Sequence, residues 1–411
     1  MKIAVINDSS SLGGWRYLTH VFGSIKKYYP DTEIKIFLQN NINIDCQKYF
    51  GKYGIDVCDA RREFNILRRF KKYKKKNSIK NKIKLLLLKK IKYKRMQKFV
   101  NDINSFDLVF FTWISDGLNT DILKYIDVPI FCIQHDFIFS HFFGLHVTNT
   151  YINAWYRDVK NTLKCFINRG AIFIGSSQYV IDELKRVFPE YKKGNNVVYL
   201  SALNDTKSVE TSRQNEILKK FGIDFDFIFY PTNNMHHKNM EEVLSGYYYV
   251  KQKYPNIKLI ICGFATDGIR VQINTPYYCD HIEENEDYDI KSLGLVSNEE
   301  LITLIQKAKL LVNASLCEAA CGSGLDAWQL GCPTAISDIP CYKQQVEKLG
   351  VKTEFFDPKC AKDIGNAMLR ILDNPELAKN NSEISKQALE KHYTKKDVAD
   401  GYMRIFNSVK K

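Results

Sequence analysis

Two acids eight positions apart, Glu318 and Asp326, bracket a glycine-containing turn, Gly322-Ser323-Gly324, in the stretch KLLVNASLCEAACGSGLDAWQLGCPTAISD. Leu310–Val312 reads as a buried parallel strand. A helix running through Asp326, Trp328 and Leu330 is stopped by Gly331 and Pro333, and Thr334–Ser337 reads as the next strand. A strand, a glycine turn and a helix N-terminus form a phosphate cradle, because free backbone N–H groups and the positive helix end face an anion. A carboxylate is a poor phosphate ligand, so acids on either side of the cradle point to ligand hydroxyls, as on a sugar or ribose. The competing reading is an ordinary strand–helix unit with solvated acids.

Three further places carry chemistry-bearing residues. His135-Asp136 follows the apolar run VPIFCI, at a strand's C-terminal end, where ligands bind in open α/β sheets. Lys238 sits in PTNNMHHKNMEEVL, between a strand and a helix, and is otherwise a solvated lysine entering that helix. Gly13-Gly14 closes the polar stretch DSSSLGG after the first strand, where glycine allows close backbone approach. No full GxGxxG is present, so a nicotinamide-type fingerprint is absent. Nor is there a DxD at a strand end, or a Ser-His-Asp constellation.

Glu318, seven intervening residues and Asp326 resemble the E-x7-E signature of family 4 glycosyltransferases, with Asp in place of the second Glu. AWQLGCPTAISDIP is similar to the stretch that follows that signature. The resemblance implies the GT-B architecture: two Rossmann-like domains facing a cleft that holds a nucleotide sugar. His135-Asp136 resembles the family's HD pair, which places His135 against the donor sugar. The resemblance places Lys238 on the donor diphosphate, in a loop resembling the family's R-x4-K, where Asn233 stands in the Arg position and leaves one cation fewer. By the same resemblance Glu318 reaches hydroxyls of the transferred sugar, and Asp326, one methylene shorter than Glu, reaches the ribose. The backbone N–H groups of Gly322, Ser323, Gly324 and Leu325 meet the phosphates, Gly13 and Gly14 lie near them, and Val296 borders the base pocket. GT-B enzymes need no metal, so no metal or other cofactor is expected.

The elements that must position these residues alternate strand and helix, which calls for parallel sheets. Strands are expected at Lys2–Asn7, Glu33–Leu38, Asp107–Trp113, Val128–Ile133, Ala171–Gly175 and Val197–Leu200, with helices between. That makes residues 1–203 one doubly wound domain, the acceptor side. Residues 204–215, polar and without apolar periodicity, read as a linker. Residues 216–390 repeat the alternation as the donor side, with strands at Phe227–Pro231, Ile257–Gly263, Ser292–Val296, Leu310–Val312, Thr334–Ser337 and Lys352–Phe356. Residues 391–411 are a terminal helix, which the resemblance sends back to the first domain.

The 411 residues, 45% apolar, fit two domains of about 200 residues, each with its own core. No apolar run approaches the roughly 20 residues of a membrane span, and MKIAVIND is an immediate strand, not a signal peptide. Eleven cysteines without a CxxC pair read as free thiols in a reducing cytosol. The net charge of +14 is uneven: Arg61–Lys98 holds eighteen Lys/Arg and one acid, Glu63, leaving −3 for the rest. Such a block grips anionic lipid headgroups or nucleic acid, or is a solvated excursion. The expectation is a retaining glycosyltransferase, a hexosyltransferase taking a nucleotide sugar and a glycan or lipid-linked acceptor for surface polysaccharide or glycolipid synthesis. It would be cytoplasmic, with 61–98 as its means of attaching peripherally at the inner face of the cell membrane. The alternatives are a nucleotide-sugar 2-epimerase or phosphorylase on the same fold, a degenerate GT-B module, or a basic nucleic-acid-binding protein. The last predicts charge spread over a recognition face with interleaved aromatics, whereas here it is concentrated in one block, so nucleic acid is not an expected partner.

Overall fold

The computed structural model describes residues 1–7, 12–39, 50–61, 97–112, 114, 120–142, 150–201, 208–233, 235–264, 266 and 289–409. Most of the basic stretch (residues 62–96), residues 204–207 of the expected linker and residues 267–288 lie outside that set. The chain divides into two compact units, Met1–Tyr199 with Lys395–Lys411, and Leu200–Thr394.

The first unit is a six-stranded parallel sheet in the order β3-β2-β1-β4-β5-β6. Its strands are β1 (Lys2–Asn7), β2 (Glu33–Leu38), β3 (Asp56–Asp59), β4 (Leu108–Phe111), β5 (Ile130–Gln134) and β6 (Ile172–Gly175). Strands β1, β4 and β5 are near-continuous apolar runs because both sheet faces are covered, and β4 and β5 are buried at every position. Helix α1 (Leu12–Tyr28) follows β1. The terminal helix Lys395–Asn407 packs beside α1 in this unit. There the Tyr17 and Tyr402 hydroxyls bond to each other, and Phe406 sets its ring edge-on to Phe110 and Phe131.

The second unit repeats the design with the order β12-β11-β10-β7-β8-β9, again all parallel. Its strands are β7 (Phe227–Pro231), β8 (Lys258–Cys262), β9 (Ile290–Ser292), β10 (Leu310–Asn313), β11 (Thr334–Ser337) and β12 (Glu354–Phe356). The helices used below are α2 (Met240–Lys253), α3 (Gly322–Leu330) and α4 (Pro340–Leu349). In both sheets the strand order reverses beside the first strand, between β1 and β4 and between β7 and β10. These are the points where open α/β sheets leave a crevice at their carboxyl ends.

Several sequence expectations are corrected. Gly13 and Gly14 do not form a turn: both belong to the first turn of α1, which begins at Leu12. Val197–Leu200 is no strand; one bridge, Gly175 to Val197, replaces it. The expected strand Ser292–Val296 runs instead from Ile290 to Ser292, because Gly294 has φ +63° and turns the chain. Residues 211–215 of the expected linker are helical: Thr211–Phe221 buries Gln214 and Ile217 and ends on Gly222 in the left-handed region. Strand β3 was not anticipated.

Candidate active site

At the second unit's switch point, adjacent strands β7 and β10 send two loops off the same sheet edge. After β7 the chain makes a short 3-10 turn, His236–Lys238, and enters α2 through Asn239, whose φ of 62° is left-handed. Asparagine tolerates that region better than most side chains. Its side-chain amide donates to the Pro358 carbonyl at 2.6 Å, and the Tyr230 hydroxyl donates to the Lys238 carbonyl at 2.5 Å. These bonds hold the turn from both sides. After β10 the loop carrying Glu318 is stitched to that turn by the Leu316 N–H, which donates to the His237 carbonyl at 2.8 Å.

The consequence is an ion pair between residues 80 positions apart: the Lys238 ammonium donates to Glu318 Oε1. Their side chains keep 22% and 15% of their surface, so the pair is sheltered yet reachable. His237 Nε2 lies 3.6 Å from the same oxygen. Burial pushes the His237 ring down to about 4; Glu318 opposes that shift, and Lys238 and His236 reinforce it. The imidazole is therefore neutral at physiological pH.

Beside the pair stands the N-terminus of α3. Its entry is fixed by side chains rather than by a standard cap. Gln345 Oε1 of α4 accepts the Cys321 N–H at 2.6 Å. The Asn313 amide donates to Ser323 Oγ at 2.7 Å, while Asn313 Oδ1 accepts the Ser315 N–H and the Tyr342 hydroxyl, each at 3.1 Å. Gly322 and Gly324 play different parts. A Cβ on Gly322 would meet nothing within 4 Å, so this glycine leaves open space at the helix end. A Cβ on Gly324 would lie 2.7 Å from Cys321 Sγ and 3.1 Å from the Trp328 ring. The Leu325 N–H, expected at the phosphates, is instead spent on the Cys321 carbonyl at 3.0 Å, and the Leu325 side chain is fully buried. The Gly324 N–H, also expected at the phosphates, bonds the Cys321 thiol, so the first turn offers an anion the N–H groups of Gly322 and Ser323.

Asp326 is 3% exposed, which puts its carboxylate inside the unit, where it has little surface to offer a ribose in this conformation. Asn233 Oδ1 accepts the Met235 N–H at 3.2 Å, so the residue in the Arg position also braces the turn. Val296 is half-buried against the core, and its neighbour Leu295 carries the exposed side chain, 74% open.

His135 belongs to the first unit, as do Gly13 and Gly14. It follows β5 and its Nε2 bonds the Thr112 carbonyl at 2.7 Å, with the Tyr17 ring edge-on at 5.1 Å. A carbonyl only accepts, so this bond places the ring proton on Nε2. Burial pushes His135 down to about 4, against the opposing Thr112 bond. Asp136 Oδ1 accepts the Ile138 N–H at 3.1 Å, a local turn-forming role. Among the described residues no three His, Cys, Asp or Glu side chains come together as metal ligands. The described cysteines are free thiols, and no described helix is long and apolar enough to cross a membrane.

The two parallel-sheet units have the GT-B architecture. Residues 212–388 match the family model "Glycosyl transferases group 1". The chain is similar in structure to Anabaena HepE in complex with UDP and glucose, at TM-score 0.68 and 13% identity, each chain covered in full. It is similar to sucrose-phosphate synthase from Thermosynechococcus elongatus, at 0.65 and 13%, covering 100% of this chain and 99% of that one. It is also similar to WaaG, a glycosyltransferase involved in lipopolysaccharide biosynthesis, at 0.65 and 10%, covering 99% of each. A search of curated protein sequences finds no match.

Proposed function

We propose that this protein is a glycosyltransferase that moves a sugar from a nucleotide-diphosphate sugar, with retention, to an acceptor hydroxyl in surface polysaccharide or glycolipid synthesis. The observation that carries the reading is the Lys238–Glu318 pair beside the α3 N-terminus. The donor diphosphate takes the Lys238 ammonium away from Glu318 and sits against the N–H groups of Gly322 and Ser323. Cation and helix end together stabilise the charge that develops on the departing nucleotide, so no metal is required for that purpose. Glu318, released, accepts hydrogen bonds from hydroxyls of the transferred sugar. The remaining acceleration comes from holding donor and acceptor together. UDP is the favoured nucleotide, since the Anabaena neighbour binds it. The +17 block at 61–98 favours a lipid-linked acceptor displayed on an anionic membrane.

The test is a panel of nucleotide sugars offered to the full chain, scored for donor turnover and, by proton NMR, for the anomeric configuration of the product. Turnover of a UDP-sugar with retention supports the reading. Inversion, or release of a free 2-epimer in place of a glycoside, refutes it.

A further inference from the structure

The His236–Lys238 turn brings two nitrogen-bearing side chains to one carboxylate oxygen. The Lys238 ammonium holds Glu318 Oε1, and His237 Nε2 waits 3.6 Å from the same atom. We propose that His237 is a positioning residue for Glu318, taking its carboxylate when the Lys238 ammonium turns to the donor diphosphate. The proposal rests on the roles given to Lys238 and Glu318 above.

Three observations support it. First, the His237 ring is buried, and its backbone carbonyl is bonded to Leu316, two residues before Glu318. Ring and carboxylate are thus fixed to the same pair of stitched loops, and their separation is not left to flexible side chains. Second, 3.6 Å exceeds an N–H···O bond by about half an ångström. A small rotation of the carboxylate closes that gap once the ammonium is gone. Third, an ionised carboxylate with 15% of its side chain exposed is costly to leave without a donor. An imidazole protonated on Nε2 supplies one N–H and leaves the second carboxylate oxygen to the sugar. Being neutral, it does not compete with Lys238 for the diphosphate, nor does it cancel the charge that makes Glu318 a strong acceptor. A second lysine at this position would do both.

The experiment compares His237→Met, which fills the space without a donor, with His237→Gln, which keeps one. Both are made in the wild-type and Glu318→Gln backgrounds, and Lys238→Ala is run alongside. Turnover of the donor selected from the nucleotide-sugar panel gives kcat and KM, and UDP titration gives Kd. The expected result is a loss in kcat of about tenfold or more for His237→Met, as for a lost bond to a charged group. KM and the UDP Kd stay within about threefold, since Lys238 and α3 hold the nucleotide. His237→Gln recovers most of the loss, and in the Glu318→Gln background His237→Met costs little more. Wild-type kcat in His237→Met, equal losses in the Met and Gln variants, or an undiminished loss on Glu318→Gln each overturn the proposal while the donor-site reading stands. Normal turnover in both Glu318→Gln and Lys238→Ala overturns that reading and this proposal together. His237→Phe replaces His237→Met, with the same readouts, if the Met variant does not fold.

Discussion

Lys238→Ala is the perturbation with the most direct link between geometry and rate. The substitution removes the ammonium that bonds Glu318 in the free protein and meets the diphosphate in the donor complex. The free protein loses a sheltered ion pair. At these exposures the effect on stability is small, about 1 kcal/mol, because both side chains still touch solvent. The catalytic loss is larger. Removing one positioned donor from a developing oxyanion costs about 2–4 kcal/mol, roughly 30- to 1,000-fold in rate. Asn233, where the family pattern has a cation, brings no second charge that would cushion the loss. The assay is steady-state turnover of the donor chosen from the panel, with thermal unfolding as the control. The expected outcome is a fall in kcat/KM of that size while Tm stays within a few degrees. Turnover within about threefold of wild type would show that the ammonium takes no part in leaving-group departure, and the site assignment would fail.

Four further outcomes are expected. Gly322→Ala should leave stability unchanged while weakening UDP binding, whereas Gly324→Ala should cost about 1–3 kcal/mol of stability, since its Cβ meets Cys321 and Trp328; denaturant titration and UDP calorimetry separate the two. Acid should destabilise the fold: His135 and His237 are held near 4 against an ordinary 6.5, so the unfolded chain binds their protons first and stability falls as pH drops from about 6.5 to 4. For His237 that is on the order of 3 kcal/mol, and unfolding curves that do not move across the window would contradict the burial argument. Excess EDTA should leave turnover intact, and activity abolished by chelation and restored by Mn²⁺ would mean another mechanism. The full-length protein should sediment with anionic liposomes at low salt and be released as salt rises; tight binding of duplex DNA with no liposome binding would reverse the choice of partner.

The core strands were legible because burial on both faces writes them as apolar runs: KIAVIN, FIFYP, LLVN and TAIS are β1, β7, β10 and β11. Strand β3, DVCD, lies at the sheet edge with acidic ends and half-exposed middle positions, so nothing in its composition announces it. Gly13-Gly14 reads as a turn by composition, but glycine is cheaper in a helix's first turn than in its interior, and the chain begins α1 at Leu12. Lys238 and Glu318 each stood out by local pattern. Their pairing did not, because it depends on β7 and β10 being neighbours at the switch point, a property of strand order and not of either segment. His237 was passed over for a similar reason: next to His236 and Lys238 it looks like one more polar loop residue, and only packing shows which of the three is buried.

The central claim is that the diphosphate of a nucleotide sugar opens the Lys238–Glu318 pair. The measurement that meets it head-on is a structure of the full chain with UDP bound. The account predicts the diphosphate at the α3 N-terminus, within hydrogen-bond distance of the Gly322 and Ser323 N–H groups and of Lys238 Nζ, with Glu318 released. UDP seated elsewhere, or bound there with the Lys238–Glu318 pair still closed, would contradict it.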